Sequence, residues 1–435
     1  MDTNNTNIES ENMKNNFGKG WWIILYCALM FFLLIGYSID GLNIVAPAFS
    51  EKTGIDYSLV LSMSTVAGLI GVIAYIVISQ LIIRIGARWV SGVCLIGAGL
   101  CYIGLGNSET LASYGVFLTL VTCFINGAAY IAGGALVAQW FPKKKGLANG
   151  FTTMGHNSGS AFYVPLINIL IATFGMATGM TFTAVGGVVL GIVGLICVRN
   201  TPMERGQYPD NVTKDVYERE YFIATDDDPT GGWTVKKLLK TKELWLCSIV
   251  VGINQLVTTG VMSQLVVRNT QIGFEQAKAV TLMTVAALIG LVGSYLFGAI
   301  DQKLGVKKAI MIFLVWYCIA LAVNCSDTII GVYISVFMIG IAVGAAANFI
   351  VSLPASVFGR HGFNTVNSVF FPLMEIILCL NYVLNAWILK LTGSYRGSYI
   401  VFIFMLIANL IIVSRINVRK FNKDYQKEDS LKTEQ

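Results

Sequence analysis

Long apolar runs separated by short polar turns dominate the chain. A run of about 20 mostly apolar residues is long enough to cross the hydrocarbon core of a bilayer as a helix. We therefore expect an all-α membrane protein with twelve transmembrane helices. The predicted spans are residues 21–48, 58–83, 88–106, 111–139, 148–173, 178–198, 243–267, 279–300, 307–325, 328–354, 365–390 and 397–416.

The second half of this pattern repeats the first. Residues 67–88 align without a gap with residues 286–307, at an offset of 219 positions. A basic elbow at residues 139–150, which contains three consecutive lysines, has an altered counterpart at residues 357–367. Repeated hydrophobic spans of this kind predict two pseudo-symmetric six-helix halves, as in transporters built from two similar units.

The predicted order of segments follows from the runs and the polar stretches between them. We expect an N-terminal segment at 1–20, a first half at 21–198, a linker at 199–242, a second half at 243–416 and a tail at 417–435. The linker is polar, and one surface helix is expected near residues 233–239. The first apolar run is too long for the core of a signal peptide, so it should be an uncleaved first helix.

Composition and charge fit this picture. The chain is 55% hydrophobic and 12% charged, against about 25% charged in an average soluble domain. If the N-terminus is cytoplasmic, 25 of the 30 Lys and Arg residues fall on the cytoplasmic side, which predicts a multi-pass protein of the cytoplasmic membrane with both termini inside. The net charge of +6 then needs no nucleic-acid partner.

Other function classes find little support in the sequence. The nine cysteines lie singly within or at the ends of apolar runs, so we expect neither a disulfide framework nor a metal site. No Walker loop and no nucleophile with a partner base is present. We therefore expect no enzyme, no cofactor and no catalytic residues, and transport would be driven by an ion gradient or by exchange.

Polar residues within the spans are the candidate substrate ligands, because such residues are costly in a membrane and usually face a cavity or a partner. His156 and Glu375 are both near mid-membrane, at nearly equivalent places in the two halves. Asp40 should lie nearer the outer mouth, either hydrated or paired. Each of these groups could instead stabilise helix packing. The full set of predicted substrate ligands is Asp40, Asn126, Tyr130, His156, Asn254, Gln255 and Glu375.

The loops after the second and eighth spans resemble the G-x-x-x-D-R-x-G-R-R signature of the major facilitator superfamily. Residues 79–88 and 298–308 carry this resemblance, with Ile83 in the place of the family's Asp and Asp301 one position early. In the family this loop locks the two halves by charge pairing, so here we expect a weaker or rewired lock. The gating residues implied are Arg84, Arg88, Asp301, Lys303 and Lys307.

Within that superfamily, Trp21, Trp22 and the elbow at residues 140–142 are most similar to the oxalate/formate antiporter and monocarboxylate transporter group. The resemblance implies a carboxylate substrate held by buried cations on the eighth and eleventh helices. Here the eighth span, 279–300, carries no charge, and the eleventh offers Glu375. The predicted substrate is therefore a small organic solute, either a carboxylate-bearing metabolite or an amino compound or cation.

Protons or a counter-solute are the expected coupling partners, with the lipid bilayer as surroundings, and we expect a monomer. A nutrient sensor on a transporter scaffold is the alternative from another class, although the loops and tail offer little surface for a signalling partner.

Overall fold

Helices make up nearly all of the structure, a computed structural model that describes residues 16–221, 232–359, 362–418 and 420–422. Within these ranges, twelve membrane helices follow one another. They are α1 (Trp21–Ser38, continued by Leu42–Thr53), α2 (Tyr57–Ile85), α3 (Ala87–Gly106), α4 (Leu111–Asn126 to Gly133–Trp140), α5 (Lys145–Ser158 to Val164–Phe174), α6 (Met176–Cys197), α7 (Lys242–Met262, continued by Leu265–Ile272), α8 (Gln276–Leu304), α9 (Val306–Asn324), α10 (Ile329–Ala346 and Asn348–Phe358), α11 (Phe363–Thr392) and α12 (Tyr395–Ser414).

These helices confirm the predicted fold class. By length and composition, eleven of the described helices can cross a membrane, and α11 adds the apolar stretch Thr365–Asn381. The short helix Val235–Leu239 lies in the linker, where a surface helix was expected. Residues 1–15 of the N-terminal segment, 222–231 of the linker, 360–361 of the second elbow, and 419 and 423–435 of the tail lie outside the described residues.

Three helices that were predicted as continuous are broken. The long part of α1 ends at Ser38, and the chain turns through residues 39–41 before the helix resumes. Glycine is required at this turn, because a Cβ on Gly41 would lie 1.8 Å from the carbonyl oxygen of Gly36. α7 breaks at residues 263–264 and α10 at Ala347. The apolar pattern of the sequence does not predict such interruptions, because the residues on both sides of each break are apolar.

π-helical turns interrupt α4 at Gly127–Ala132 and α5 at Gly159–Tyr163. Such turns insert an extra residue into the helix and often occur at functional sites. Here they carry two polar residues: Tyr130 contacts the ring of Phe371 on α11, and Ser160 contacts Asp40 in the turn within α1.

The two halves meet along two helix pairs, α5 with α8 and α2 with α11. Small residues allow the first pair to approach closely: a Cβ on Gly150 would lie 2.9 Å from the carbonyl oxygen of Ser294. An apolar cluster of Ala138, Val351, Ala355 and Phe363 closes the same end of the bundle. We call this the linker end, because the linker connects the halves there.

The first part of the linker folds back onto the first half. The buried carboxylate of Asp210 accepts hydrogen bonds from the backbone N–H groups of Lys143 (2.8 Å) and Lys144 (2.9 Å), at the start of α5. Burial raises the pKa of Asp210 above its usual value, although these two hydrogen bonds act in the opposite direction. The indole N–H of Trp140 also donates to the carbonyl oxygen of Arg199 (3.0 Å). The linker is thus attached to the elbow that was identified from sequence.

Candidate functional site

The candidate residues on several helices lie at the same depth. Tyr75 is ten residues from the linker end of α2, and Tyr130 is ten from that end of α4. His156 is eleven residues into α5, and Glu375 is twelve into α11. At a rise of 1.5 Å per residue these positions are about 15–18 Å from the linker end, near the middle of a bilayer.

Four rings form a continuous aromatic cluster at this depth. The ring of Tyr130 lies 5.2 Å from that of Phe31 and 5.1 Å from that of Phe371. The ring of Phe371 in turn lies 5.0 Å from that of Tyr75, at an angle of 84°. Each pair falls within the range of favourable aromatic contacts, worth about 0.5–1.5 kcal/mol. The aromatic cluster, Phe31, Tyr75, Tyr130 and Phe371, joins α1, α2 and α4 of one half to α11 of the other.

Glu375 lies beside this cluster. It follows Phe371 by four residues and therefore sits on the same side of α11. Its carboxylate interacts electrostatically with the hydroxyls of Tyr75 and Tyr130. The Tyr75 hydroxyl is fully buried and has no hydrogen-bond partner among the described residues. Over the same ranges, Glu375 has neither a hydrogen bond nor an ion pair, so its charge is available to a ligand or a proton.

His156 is half-buried, and its Nδ1 has no hydrogen-bond partner within the described part of the chain. The next residue, Asn157, reaches the other half, where its amide donates to the hydroxyl of Ser294 (2.9 Å). One turn earlier, the hydroxyl of Thr153 donates to the side-chain oxygen of Asn348. A polar network thus crosses between α5, α8 and α10 beside His156.

The predicted amide ligands make hydrogen bonds within their own halves. Asn126 donates to the carbonyl oxygen of Thr122 (2.9 Å), one turn earlier in α4. Asn254 accepts a hydrogen bond from Asn409 on α12 (2.9 Å), and Gln255 donates to the carbonyl oxygen at the break in α10 (3.0 Å). Of the two roles considered for Asn254 and Gln255, these contacts favour helix stabilisation.

Asp40 lies apart from the aromatic cluster, in the turn that follows the long part of α1. Its carboxylate accepts a hydrogen bond of 2.5 Å from the hydroxyl of Ser160, in the π-helical turn of α5. This contact fixes the turn to α5 near the end of the bundle opposite the linker.

The gating residues are divided between the two halves. Asp301 is buried at the end of α8 and interacts electrostatically with Lys145, at the start of α5 in the other half. The amide of the neighbouring Gln302 donates to the carbonyl oxygen of Lys143 (3.2 Å). The second copy of the loop signature therefore supplies an acidic residue that interacts with the other half. The first copy has the uncharged Ile83 in the corresponding place.

The other predicted gating residues make contacts inside one half or point to solvent. The guanidinium of Arg88 donates to the carbonyl oxygen of Leu195 on α6. Lys307 donates to the carbonyl oxygens of Ser414 (2.8 Å) and Ile416 (3.0 Å) at the end of α12. Arg84 and Lys303 are exposed.

Sequence reasoning missed Tyr75, Phe31 and Phe371 as members of the site, and Lys145 as a gating residue. An aromatic residue in an apolar run carries no local sign of function, because its neighbours come from other helices. A lysine in a basic turn equally suits a role in membrane orientation, which is how the elbow was interpreted.

The fold and the site define a membrane transporter built from two helical halves. The family model described as Major Facilitator Superfamily matches residues 26–374. The chain belongs to this superfamily, as the loop signatures predicted.

Two curated relatives are distant. The oxalate:formate antiporter of Oxalobacter formigenes is 22% identical over 233 residues, 53% of this chain and 50% of that protein. Monocarboxylate transporter 12 of Xenopus laevis is 22% identical over 336 residues, 69% of this chain and 70% of that protein. The match to the antiporter thus spans half of its length.

Solved structures share the fold. The proton:xylose symporter XylE, bound to 6-bromo-6-deoxy-D-glucose, has a TM-score of 0.74 at 13% identity and covers 94% of this chain and 98% of its own. FucP in the outward conformation has a TM-score of 0.68 at 12% identity, over 91% of this chain and 98% of its own. At these identities the likeness concerns the architecture alone.

Proposed function

We propose that this chain is a secondary active transporter that moves a small organic solute across the cytoplasmic membrane by alternating access, driven by protons or by exchange. The observation that carries the proposal is Glu375, an ionisable group at mid-depth beside the contact between the halves. An ionised carboxylate at this depth is costly unless it binds a cation or a proton. A group that must change partners as the halves move can couple solute movement to a gradient.

In this proposal the linker end of the bundle, where α5 meets α8, acts as the gate. There Asp301, Lys145 and Gln302 join the halves, and Gly150 permits close packing. Opening this end requires these contacts to separate while the aromatic cluster rearranges. The proposed orientation places the linker end in the cytoplasm, because most Lys and Arg residues lie there.

Two substrate classes fit different observations. The distant relatives, an oxalate:formate antiporter and a monocarboxylate transporter, favour a carboxylate-bearing metabolite. The acidic group at mid-depth and the absence of Lys and Arg from the middle of all twelve helix sequences favour an amino compound or another cation.

Uptake into proteoliposomes tests the proposal. The purified full-length chain is reconstituted with an imposed pH gradient and given labelled monocarboxylates, dicarboxylates, amino acids and amines. We expect at least one solute to accumulate, and Glu375→Gln to abolish uptake driven by the gradient. Glu275→Gln, which alters an exposed carboxylate of the same half, is the matched control.

The same variant separates two roles of Glu375. If the residue only carries the proton, exchange of labelled for unlabelled solute at equal pH survives Glu375→Gln. If it also binds the solute, both uptake and exchange are lost. Normal pH dependence in a well-folded Glu375→Gln protein would remove Glu375 from the site and leave His156 as the mid-depth titratable candidate. Solutes that bind but are never moved would favour a sensor over a transporter.

A further inference from the structure

We infer that the solute is an organic cation, an amine or quaternary ammonium compound that binds between the aromatic cluster and Glu375 and exchanges there with a proton. The inference rests on the proposed transport function and specifies its substrate class and direction of coupling. It follows from the rings, the carboxylate, the buried hydroxyl and the distribution of basic residues.

The four rings of the aromatic cluster lie together in one small region at mid-depth. Phe31, Tyr130, Phe371 and Tyr75 form an unbroken series of contacts, with centroids 5.0–5.2 Å apart. The faces of aromatic rings carry partial negative charge and attract ammonium groups, an attraction of about 2 kcal/mol or more when the cation is desolvated. Groups of such rings are the usual means of recognising quaternary ammonium ligands.

Glu375 supplies the full negative charge beside these rings. It has no ion-pair partner among the described residues, and it interacts with both tyrosine hydroxyls. The buried Tyr75 hydroxyl, which lacks a hydrogen-bond partner in the described ranges, can donate to a carboxylate or accept from a protonated amine. Rings, carboxylate and hydroxyl together favour a ligand that is positively charged and partly apolar.

The same site is unfavourable for a carboxylate solute. Its charge would be repelled by Glu375, and the middle of each helix contains no lysine or arginine to balance it. Arg268, a cation on the outer part of α7 in the second half, is buried and already paired with Asp327 and Asn324. Asp40, the other acidic residue among the predicted substrate ligands, lies away from the aromatic cluster, where it is hydrogen-bonded to Ser160 at the far end of α1.

Exchange of the cation for a proton follows because both bind to the same carboxylate, that of Glu375. An ionised Glu375 at mid-depth is costly, so it holds either a proton or the cation. The two states exclude each other, because a protonated carboxyl no longer attracts the cation. Binding of the cation therefore releases the proton of Glu375 to the side from which the cation entered, and release of the cation allows a proton to bind on the other side.

Three probes of the same shape test the charge preference. Choline is compared with the neutral alcohol in which carbon replaces its nitrogen, and with the tert-butylacetate anion. Methylammonium and tetramethylammonium serve as smaller cations. Binding to the purified full-length protein is followed by thermal shift, and proton release by a pH indicator in weak buffer.

We expect at least one cation to stabilise the protein and release protons, with no response to the neutral and anionic probes. Affinity for that cation should fall about tenfold or more in Phe371→Leu and be lost in Glu375→Gln, whereas Glu375→Asp should retain binding and proton release. Phe404→Leu, a lipid-facing ring at 67% exposure, and Glu275→Gln are controls that should behave as the unaltered chain. Monodisperse elution verifies that each variant is folded.

Several results would overturn this inference. They are a response to the anion or neutral probe alone, cation binding that survives Glu375→Gln, binding without proton release, or no response to any of the three cations. If proteoliposomes then move carboxylates or neutral solutes, the proposed transport function stands and only the substrate class is refuted. If they move no solute at all, the proposed function itself fails.

Discussion

Gly150 of α5 and Gly298 of α8 meet backbone to backbone across the two halves: a Cβ on Gly298 would lie 2.7 Å from the Cα of Gly150. No side chain separates the helices at this point, and both residues lie between the mid-depth site and the linker end. The closed arrangement of the linker end therefore depends on two residues without side chains.

Gly298→Val should disfavour this closed arrangement. Overpacking of a tight contact costs about 1–3 kcal/mol, which would lower the population of the closed state about 5- to 150-fold. Transport should fall accordingly. Spin labels on cysteines replacing Glu204 and Lys308, exposed positions at the linker end of the two halves, should move apart. Gly186→Val is the control, because a Cβ there meets nothing within 4 Å. An unchanged label distance in Gly298→Val would contradict the prediction.

Asp301 and Lys145 should control switching rather than affinity, because they lie at the helix ends and away from the aromatic cluster. Asp301→Asn is expected to slow transport while equilibrium solute binding stays within a few-fold. Lys145→Gln removes the positive charge that acts on the buried carboxyl of Asp301, so it should lower the thermal stability of the protein. The double variant should therefore be more stable in thermal unfolding than Lys145→Gln alone.

Lys308→Gln, which removes an exposed charge of the same loop, should leave the transport rate and the stability unchanged. Loss of solute binding in a folded Asp301→Asn protein would instead assign this carboxylate to the substrate site.

Asp210 should stabilise the attachment of the linker to the start of α5. Asp210→Ala removes the acceptor of two backbone N–H groups. Each lost acceptor should lower the free energy of unfolding by about 1–3 kcal/mol. Asn retains one acceptor oxygen, so Asp210→Asn should lower the thermal unfolding temperature less. Equal unfolding temperatures for the alanine variant and the unaltered chain would show that the contact contributes nothing.

The pH dependence of the same contact has a definite sign. Because burial raises the pKa of Asp210, the folded protein binds the proton more readily than the unfolded chain. The contribution of the carboxyl to stability is then largest at acid pH and declines as the pH rises through the raised pKa. Asp210→Asn should remove this decline from a series of unfolding curves measured at increasing pH, and a decline of the same size in both proteins would contradict the assignment.

The linker end is predicted to be cytoplasmic. A cysteine replacing Glu204, at the start of the linker, should be protected from a membrane-impermeant thiol reagent in intact cells and should react after lysis. A cysteine replacing Glu109, between α3 and α4, should react in intact cells. Cys197 is exposed and is first replaced by serine. The reverse labelling pattern would invert the orientation inferred from the basic residues.

The candidate site was predicted only in part, for physical reasons. Glu375, His156 and Tyr130 could be proposed because polar groups in apolar spans are costly and therefore conspicuous. The hydrogen-bond partners of Asn254 and Gln255 lie on α12 and α10, and no local pattern distinguishes such partners from a bound solute. The aromatic cluster combines residues of four helices that are ordinary hydrophobic positions in their own segments.

The sequence by itself determined the helical membrane fold with its apolar spans, and it predicts the two related halves and the side of the membrane on which the basic residues lie. The bilayer imposes these features on composition, since every span must be apolar and long enough, and positive charges collect on one side. Only the tertiary structure decided where α1, α7 and α10 break, that Lys145 rather than a residue of the first loop interacts electrostatically with Asp301, and that Tyr75 and Phe371 lie beside Glu375. Those features depend on contacts between segments far apart in the chain, which only the packing of the two halves brings together.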